Sequence, residues 1–268
     1  VLLVTACARD EAMDVDFLPL TVEVQEKSYA AGKMPGGFFK REGRPSEQAI
    51  LNCRLVDRPL RPLFPKNYHN DTQIAITVLS TDLEFPYSSL GILGASMALM
   101  VSDIPFSEPV GACEIGYVDG ELIVNPTYEQ LESSDLQLTV AGTSEAIMMV
   151  EAGANFVSEE LLLEALELAQ ENNIKMAELQ KKIVKEIGKE KNVIEEKLNE
   201  PVINAELLDD SKDKINQLYD KGLSKSELSD EKKKLIEELT DKIEIEDESD
   251  DLNKVKDEIS SLEKNIVR

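Results

Sequence analysis

"FLPLTVEVQEKSYAAGKMPGGFFKREGRPSEQAILNCRLVDRPLRPLFP", residues 17–65, decides how this chain reads. Four local signals follow one another in it. "LTVEV" (20–24) alternates as a strand does. "AAGKMPGGFFKREGRP" (30–45) has the glycine and proline content of a long loop. Pro45 suits the first turn of a helix whose body is 46–57, and Pro59 and Pro62 are expected to stop it. Inside the loop, Gly36 and Gly37 lead into Phe38 and Phe39, then Lys40 and Arg41, with Arg44 just before the proline.

The charge of the chain gives this stretch its weight. Across 268 residues the formal charge is −24, from 29 basic and 53 acidic side chains, which taken alone argues against a nucleic-acid partner. The distribution reverses that inference. From Lys27 to Lys66 there are nine basic residues against Glu42, Glu47 and Asp57, a net of +6, and the next basic residue is Lys175. Phosphate binding responds to the potential within a Debye length of about 8 Å, not to the total. The acidic remainder would suppress indiscriminate sticking.

Outward from the loop, residues 1–8 read as a strand and 72–81 as a central strand apolar on both faces. Residues 88–103 read as a buried helix with small residues Gly91, Gly94, Ala95 and Ala98 for close packing. A hairpin over 111–126 turns at Asp119–Gly120, and a second spans 136–152. From Ser158 the period becomes helical, with Leu162, Leu166, Ala169, Met176, Ile183 and Ile187 on one side. Pro201 marks a start for a further unit, rich in Lys, Glu and Leu, that reads as a helical domain, a coiled coil or a linker. The expected organisation is an α+β domain over 1–190, divided near 105/106, followed by an all-α domain over 191–268. Val1 opens inside an apolar run and Arg268 closes inside a helical one, so the chain is expected to belong to a longer protein.

Hydrolytic chemistry lacks material. His69 is the sole histidine, which leaves no Ser–His–Asp triad, Cys–His pair or histidine-rich metal site. Cys7, Cys53 and Cys113 form no CxxC pair and read as reduced thiols of a cytosolic protein. The close acidic pairs Asp10–Glu11 and Asp14–Asp16 are ordinary in a chain this acidic. No apolar run reaches the roughly 18 residues that cross a bilayer, so no membrane partner is expected.

The loop supports two readings. Most aromatic residues are core, which would make Phe38 and Phe39 buried and the cations mere caps. Alternatively, adjacent rings on a projecting loop form a stacking platform for bases while neighbouring cations hold the phosphates. Arg54, Arg58 and Arg61 have helical spacing, but with Pro59 ending the helix only Arg54 and Arg58 share a face. Arg61 has Asp57 within pairing distance, and structural and RNA-facing roles stay open for all three.

The 17–65 block resembles the first ribonuclease-PH-like module of bacterial-type polynucleotide phosphorylases. The likeness continues through "IPFSEPVGACEIGYVDGELIVNPT" (104–127) and "LQLTVAGTSEAIMMVEAGA" (136–154). It implies an α+β module of the ribosomal-protein-S5-domain-2-like kind, with a mixed sheet and packed helices, then the family's helical linker domain. It also implies a phosphorolytic 3′–5′ exoribonuclease that degrades single-stranded RNA, with inorganic phosphate as co-substrate and nucleoside diphosphates as products. The resemblance further implies a homotrimeric ring with degradosome-type partners, and a cytoplasmic location is expected. Its Phe-Phe-basic-basic loops narrow the central channel, and Phe38, Phe39, Lys40 and Arg41 occupy those places here, with Lys where Arg also occurs. Arg44, Arg54 and Arg58 join them as expected RNA contacts. The family's phosphate- and Mg²⁺-holding residues lie in a second module outside these residues, so no catalytic or metal residue is carried over. The alternative is a non-catalytic RNA-binding ring subunit of an exosome-type complex.

Overall fold

The computed structural model describes residues 1–193 and, beyond them, residues 212, 214–216, 218–219, 228–229, 231 and 233–234. The chain divides into two compact units, Val1–Glu195 and Glu196–Arg268. The described residues of the second unit are helical, with Ile215 and Leu218 buried. The further unit expected from Pro201 onward otherwise lies outside the described residues.

The first unit is built on two sheets. In one, β1 (Leu2–Ala12) and β2 (Leu20–Glu26) flank β3 (Asn70–Val78), antiparallel and parallel respectively. The parallel β2–β3 pair needs a crossover. That crossover carries the loop and α1 (Glu47–Leu60), which packs back on the sheet. The strand at 72–81 is thus central, as expected, but it runs 70–78 and buries only one face: Thr72, Ile74, Ile76 and Val78 point inward while Gln73 is exposed. The other sheet is antiparallel, in the order β5 (Glu121–Val124), β4 (Gly111–Val118), β6 (Leu136–Gly142), β7 (Ile147–Ala154). Its first turn has φ of 50° at Asp119 and 86° at Gly120, the two positive values a tight hairpin demands.

Between the sheets lies α2 (Ser88–Val101), apolar on all sides because it touches α1, β1 and β4. Gly94 permits that approach: a Cβ there would sit 2.7 Å from Val4 Cγ2. Ile74, Ile76, Ile92, Ala95 and Leu99 form the centre of the core, each fully buried. Burying a large aliphatic side chain contributes about 1.5–3 kcal/mol each.

A short helix, α3 (Tyr128–Glu132), went unread in the sequence, though Thr127 and Gln130 form a reciprocal capping box at its start. The long α4 (Glu159–Ile187) begins where expected, with Ser158 Oγ accepting the Leu161 N–H. Its buried stripe differs from the apolar side expected. Ala165, Ala169, Asn173, Ala177 and Gln180 face inward, Leu162, Leu166 and Met176 flank them, and Ile187 is exposed. The reason is proximity. At Gly111 a Cβ would meet the Asn173 carbonyl oxygen at 2.4 Å, so only small or hydrogen-bonding residues fit beneath α4 there. Gln180 earns no space by bulk but joins three elements: its Nε2 donates to Val110 O at 2.8 Å, and its Oε1 accepts the Ser96 hydroxyl at 2.8 Å. Past α4, the Lys191 ammonium donates to Leu99 O and Ser102 O, closing the C-terminus of α2.

Candidate nucleic-acid interface

The loop between β2 and α1 is where the sequence placed its cations and rings. Both rings are out of the core: Phe38 is 93% exposed and Phe39 77%. The buried alternative for these two residues therefore fails. Gly37, at φ 76°, opens the turn over 37–40 that carries them outward. The rings contact each other edge to face, with centroids 5.4 Å apart, and the Arg41 guanidinium carbon lies 6.0 Å from the Phe39 centroid. That cation–π contact is at the outer edge of its useful range. Lys40, Arg41 and Arg44 are exposed, and among the described residues none forms an ion pair.

Hydrogen bonds hold the base of the loop. Ser46 ends it, capping α1 by accepting the Ala49 N–H at 3.0 Å while donating its own hydroxyl to Glu26. Glu26, the last residue of β2, also accepts the Tyr87 hydroxyl at the start of α2. Burial is the main cause that pushes the Tyr87 phenol up, with the Glu26 carboxylate adding to it, so Tyr87 stays a donor. Nearer the rings, the Glu42 carboxylate accepts both the backbone N–H and the hydroxyl of Ser28. These anchors were invisible in the sequence, because partners 14 to 61 residues apart follow no local period.

The arginines separate into two kinds. Pro59 lies inside α1 and does not stop it; the helix runs to Leu60, and Arg61 follows in helical conformation. The expectation that Pro59 ends the helix is corrected by this geometry. Arg61 consequently falls one turn past Asp57 and donates to it through Nε at 2.9 Å and Nη2 at 2.7 Å. It also donates to Leu18 O at 2.8 Å and Leu20 O at 3.2 Å, tying α1 to the entry of β2. Its donors are occupied, and its role is structural. Arg58 meets Glu151 only at 3.7 Å with both side chains largely exposed, a contact that contributes little. Arg54 is exposed and without an ion pair among the described residues. All three line one cleft of about 760 Å³ with Asp57 and Glu151 on its walls.

A second polar cleft, of about 210 Å³, holds Glu114, Gln137 and Thr139. Glu114 is 97% buried, and burial pushes its carboxyl up while the Gln137 amide, donating at 2.6 Å, offsets part of that. No group of three or more His, Cys, Asp or Glu side chains among the described residues is arranged to hold a metal ion.

An α+β core with a crossover loop of this kind has known counterparts. Residues 1–105 match the 3′ exoribonuclease family, domain 1, and residues 108–172 match domain 2 of the same family. The fold is accordingly that of a ribonuclease-PH-like module, a class also represented by rice (Oryza sativa) Rrp46. That structure superposes with a TM-score of 0.54 at 14% identity, over 68% of this chain and 83% of its own. The chain belongs to the 3′ exoribonuclease family. Within it, the chain is 52% identical over 213 residues to a polyribonucleotide nucleotidyltransferase of Finegoldia magna, covering 79% of this chain and 29% of that protein. It is 44% identical over 267 residues to the polyribonucleotide nucleotidyltransferase of Caldicellulosiruptor bescii, covering 99% of this chain and 38% of that protein. The chain thus spans about a third of the length of the curated relatives it matches.

Proposed function

We propose that this chain is the first ribonuclease-PH-like module, with adjoining helical residues, of a polyribonucleotide nucleotidyltransferase. The enzyme of which it is part degrades single-stranded RNA from the 3′ end, with inorganic phosphate as the attacking co-substrate and nucleoside diphosphates as products. This portion supplies ring scaffold and RNA grip in a cytoplasmic homotrimer. Phosphorolysis, and the Mg²⁺ it uses, belong to a module outside these residues, so the chain alone is inactive. Relatives at 44–52% identity that carry that name support the reading over a ring subunit lacking catalysis.

The observation that carries the grip is the pair of exposed phenylalanines on an anchored loop beside Lys40 and Arg41, which form no ion pair among the described residues. Rings that leave the core lose burial, about 1.5–3 kcal/mol for a side chain of this size. A base stacked on each ring returns about 1–3 kcal/mol, independent of sequence. Lys40 and Arg41 would neutralise the phosphates flanking those bases, and Arg44, Arg54 and Arg58 would follow the strand toward the cleft. Binding of a fluorescent oligoadenylate tests this. Phe38→Ala combined with Phe39→Ala should weaken affinity at least about tenfold, in line with two lost stacks, and unchanged affinity would remove the loop from the interface. Incubation of the isolated chain with RNA, phosphate and magnesium should release no nucleoside diphosphate; sustained release would place the catalytic centre here after all.

A further inference from the structure

Glu42 is the sole acid within the basic run of the loop, lying between Arg41 and Arg44. A free carboxylate in that place would swing onto either guanidinium and cancel it. Its two oxygens are instead both engaged by one residue. Oε1 accepts the Ser28 backbone N–H at 2.8 Å, and Oε2 accepts the Ser28 hydroxyl at 2.9 Å. Ser28 begins the single 3-10 turn that follows β2, so the contact ties the outgoing limb of the loop to the end of a core strand. Two residues before Glu42, the Lys40 backbone is left-handed at φ 50°. That conformation costs a non-glycine residue about 1–2 kcal/mol and persists only where its surroundings hold it.

We propose that Glu42 is a positioning residue for the RNA grip: its carboxylate latches onto Ser28, which fixes the turn that presents Phe38, Phe39 and Lys40 and keeps the negative charge away from Arg41 and Arg44. The inference rests on the reading of this loop as an RNA-binding element. It has a consequence opposite in sign to simple electrostatics. Deleting an acid from a basic patch ordinarily strengthens phosphate binding; here the deletion releases the turn and weakens it.

The test measures oligoadenylate affinity of the intact protein. Glu42→Ala should weaken binding about three- to tenfold, the range expected when the net contribution of an ordinary hydrogen bond is lost at an exposed site. Ser28→Ala should act in the same direction, and adding it to Glu42→Ala should cost nothing further, since both act through one contact. Glu42→Gln keeps an acceptor oxygen for the Ser28 N–H and should recover part of the loss. Because Glu42 is exposed, the thermal midpoint should stay put in Glu42→Ala and Glu42→Gln, which separates positioning from unfolding. Binding by Glu42→Ala that equals or exceeds the parent overturns the latch, as does simple additivity with Ser28→Ala. Phe38→Ala with Phe39→Ala is measured alongside. A loss there with no loss in Glu42→Ala defeats the latch alone, whereas no loss in the aromatic pair defeats the RNA-binding reading on which it stands.

Discussion

Arg61 and Asp57 face each other across one turn of α1 in a doubly bonded pair, Nε to Oδ2 at 2.9 Å and Nη2 to Oδ1 at 2.7 Å, while Arg61 also holds two carbonyls at the entry of β2. Arg54, on the same helix, has no such partner among the described residues. The two arginines should answer mutation differently. Arg61→Ala is expected to destabilise the fold by about 2 kcal/mol, because it removes the donors to the partly buried Asp57 carboxylate and the ties from α1 to Leu18 O and Leu20 O. Arg54→Ala should leave the thermal midpoint within error and lower RNA affinity instead. Urea titration and RNA binding on the same preparations check both; a stable Arg61→Ala would contradict the structural assignment.

Lys40→Ala with Arg41→Ala removes two cations that have no ion pair to lose among the described residues. The slope of log affinity against log salt should therefore flatten by about 0.7 for each phosphate contact removed, up to about two contacts. An unaltered slope would show that neither side chain meets phosphate.

Glu114 offers a pH signature. Burial raises its folded-state carboxyl above the ordinary 4.5, so the native protein holds that proton more tightly than the unfolded chain. Stability from this group is complete below 4.5 and is lost as pH rises through the folded value. Glu114→Gln retains an acceptor for the Gln137 amide without the charge. It should match the parent near pH 4 and exceed it at pH 7 by about 2–4 °C in Tm. A gap that does not widen with pH would mean the carboxylate is better solvated than its burial indicates.

Gly111 tests the closeness of α4 to the second sheet. A methyl at this position would lie 2.4 Å from the Asn173 carbonyl oxygen, a backbone atom that cannot rotate away. Gly111→Ala should cost about 3 kcal/mol or more. Gly120→Ala has open space around it and is strained only through its φ of 86°, so it should cost about 1 kcal/mol. Equal effects would argue against a tight crossing.

Much of this was legible in residue order, because the signals are local. The Asp119–Gly120 turn and the start of the helical period at Ser158 each depend on residues a few positions apart. The loop of 30–45 and its cluster of rings and cations were legible for the same reason, since Phe38 through Arg41 are consecutive. Pro59 misled because proline is a helix breaker on average; here α1 continues through it to Leu60, and Arg61 keeps the helical conformation. The inward stripe of α4 also eluded a reading by hydrophobicity, because backbone proximity selected Ala165, Ala169 and Asn173 over larger apolar neighbours.

The sequence by itself determined the kinds of element, the basic window in an acidic chain and the family that window resembles, since each is a property of neighbouring residues. Only tertiary structure decided whether Phe38 and Phe39 face solvent, which arginine is structural and where Glu42 directs its charge. Those outcomes depend on Ser28, Glu26, Leu18 and Leu20 reaching the loop and α1 from other parts of the chain. Contacts set by a parallel crossover leave no period in the residue order, because the fold and not the spacing brings the partners together.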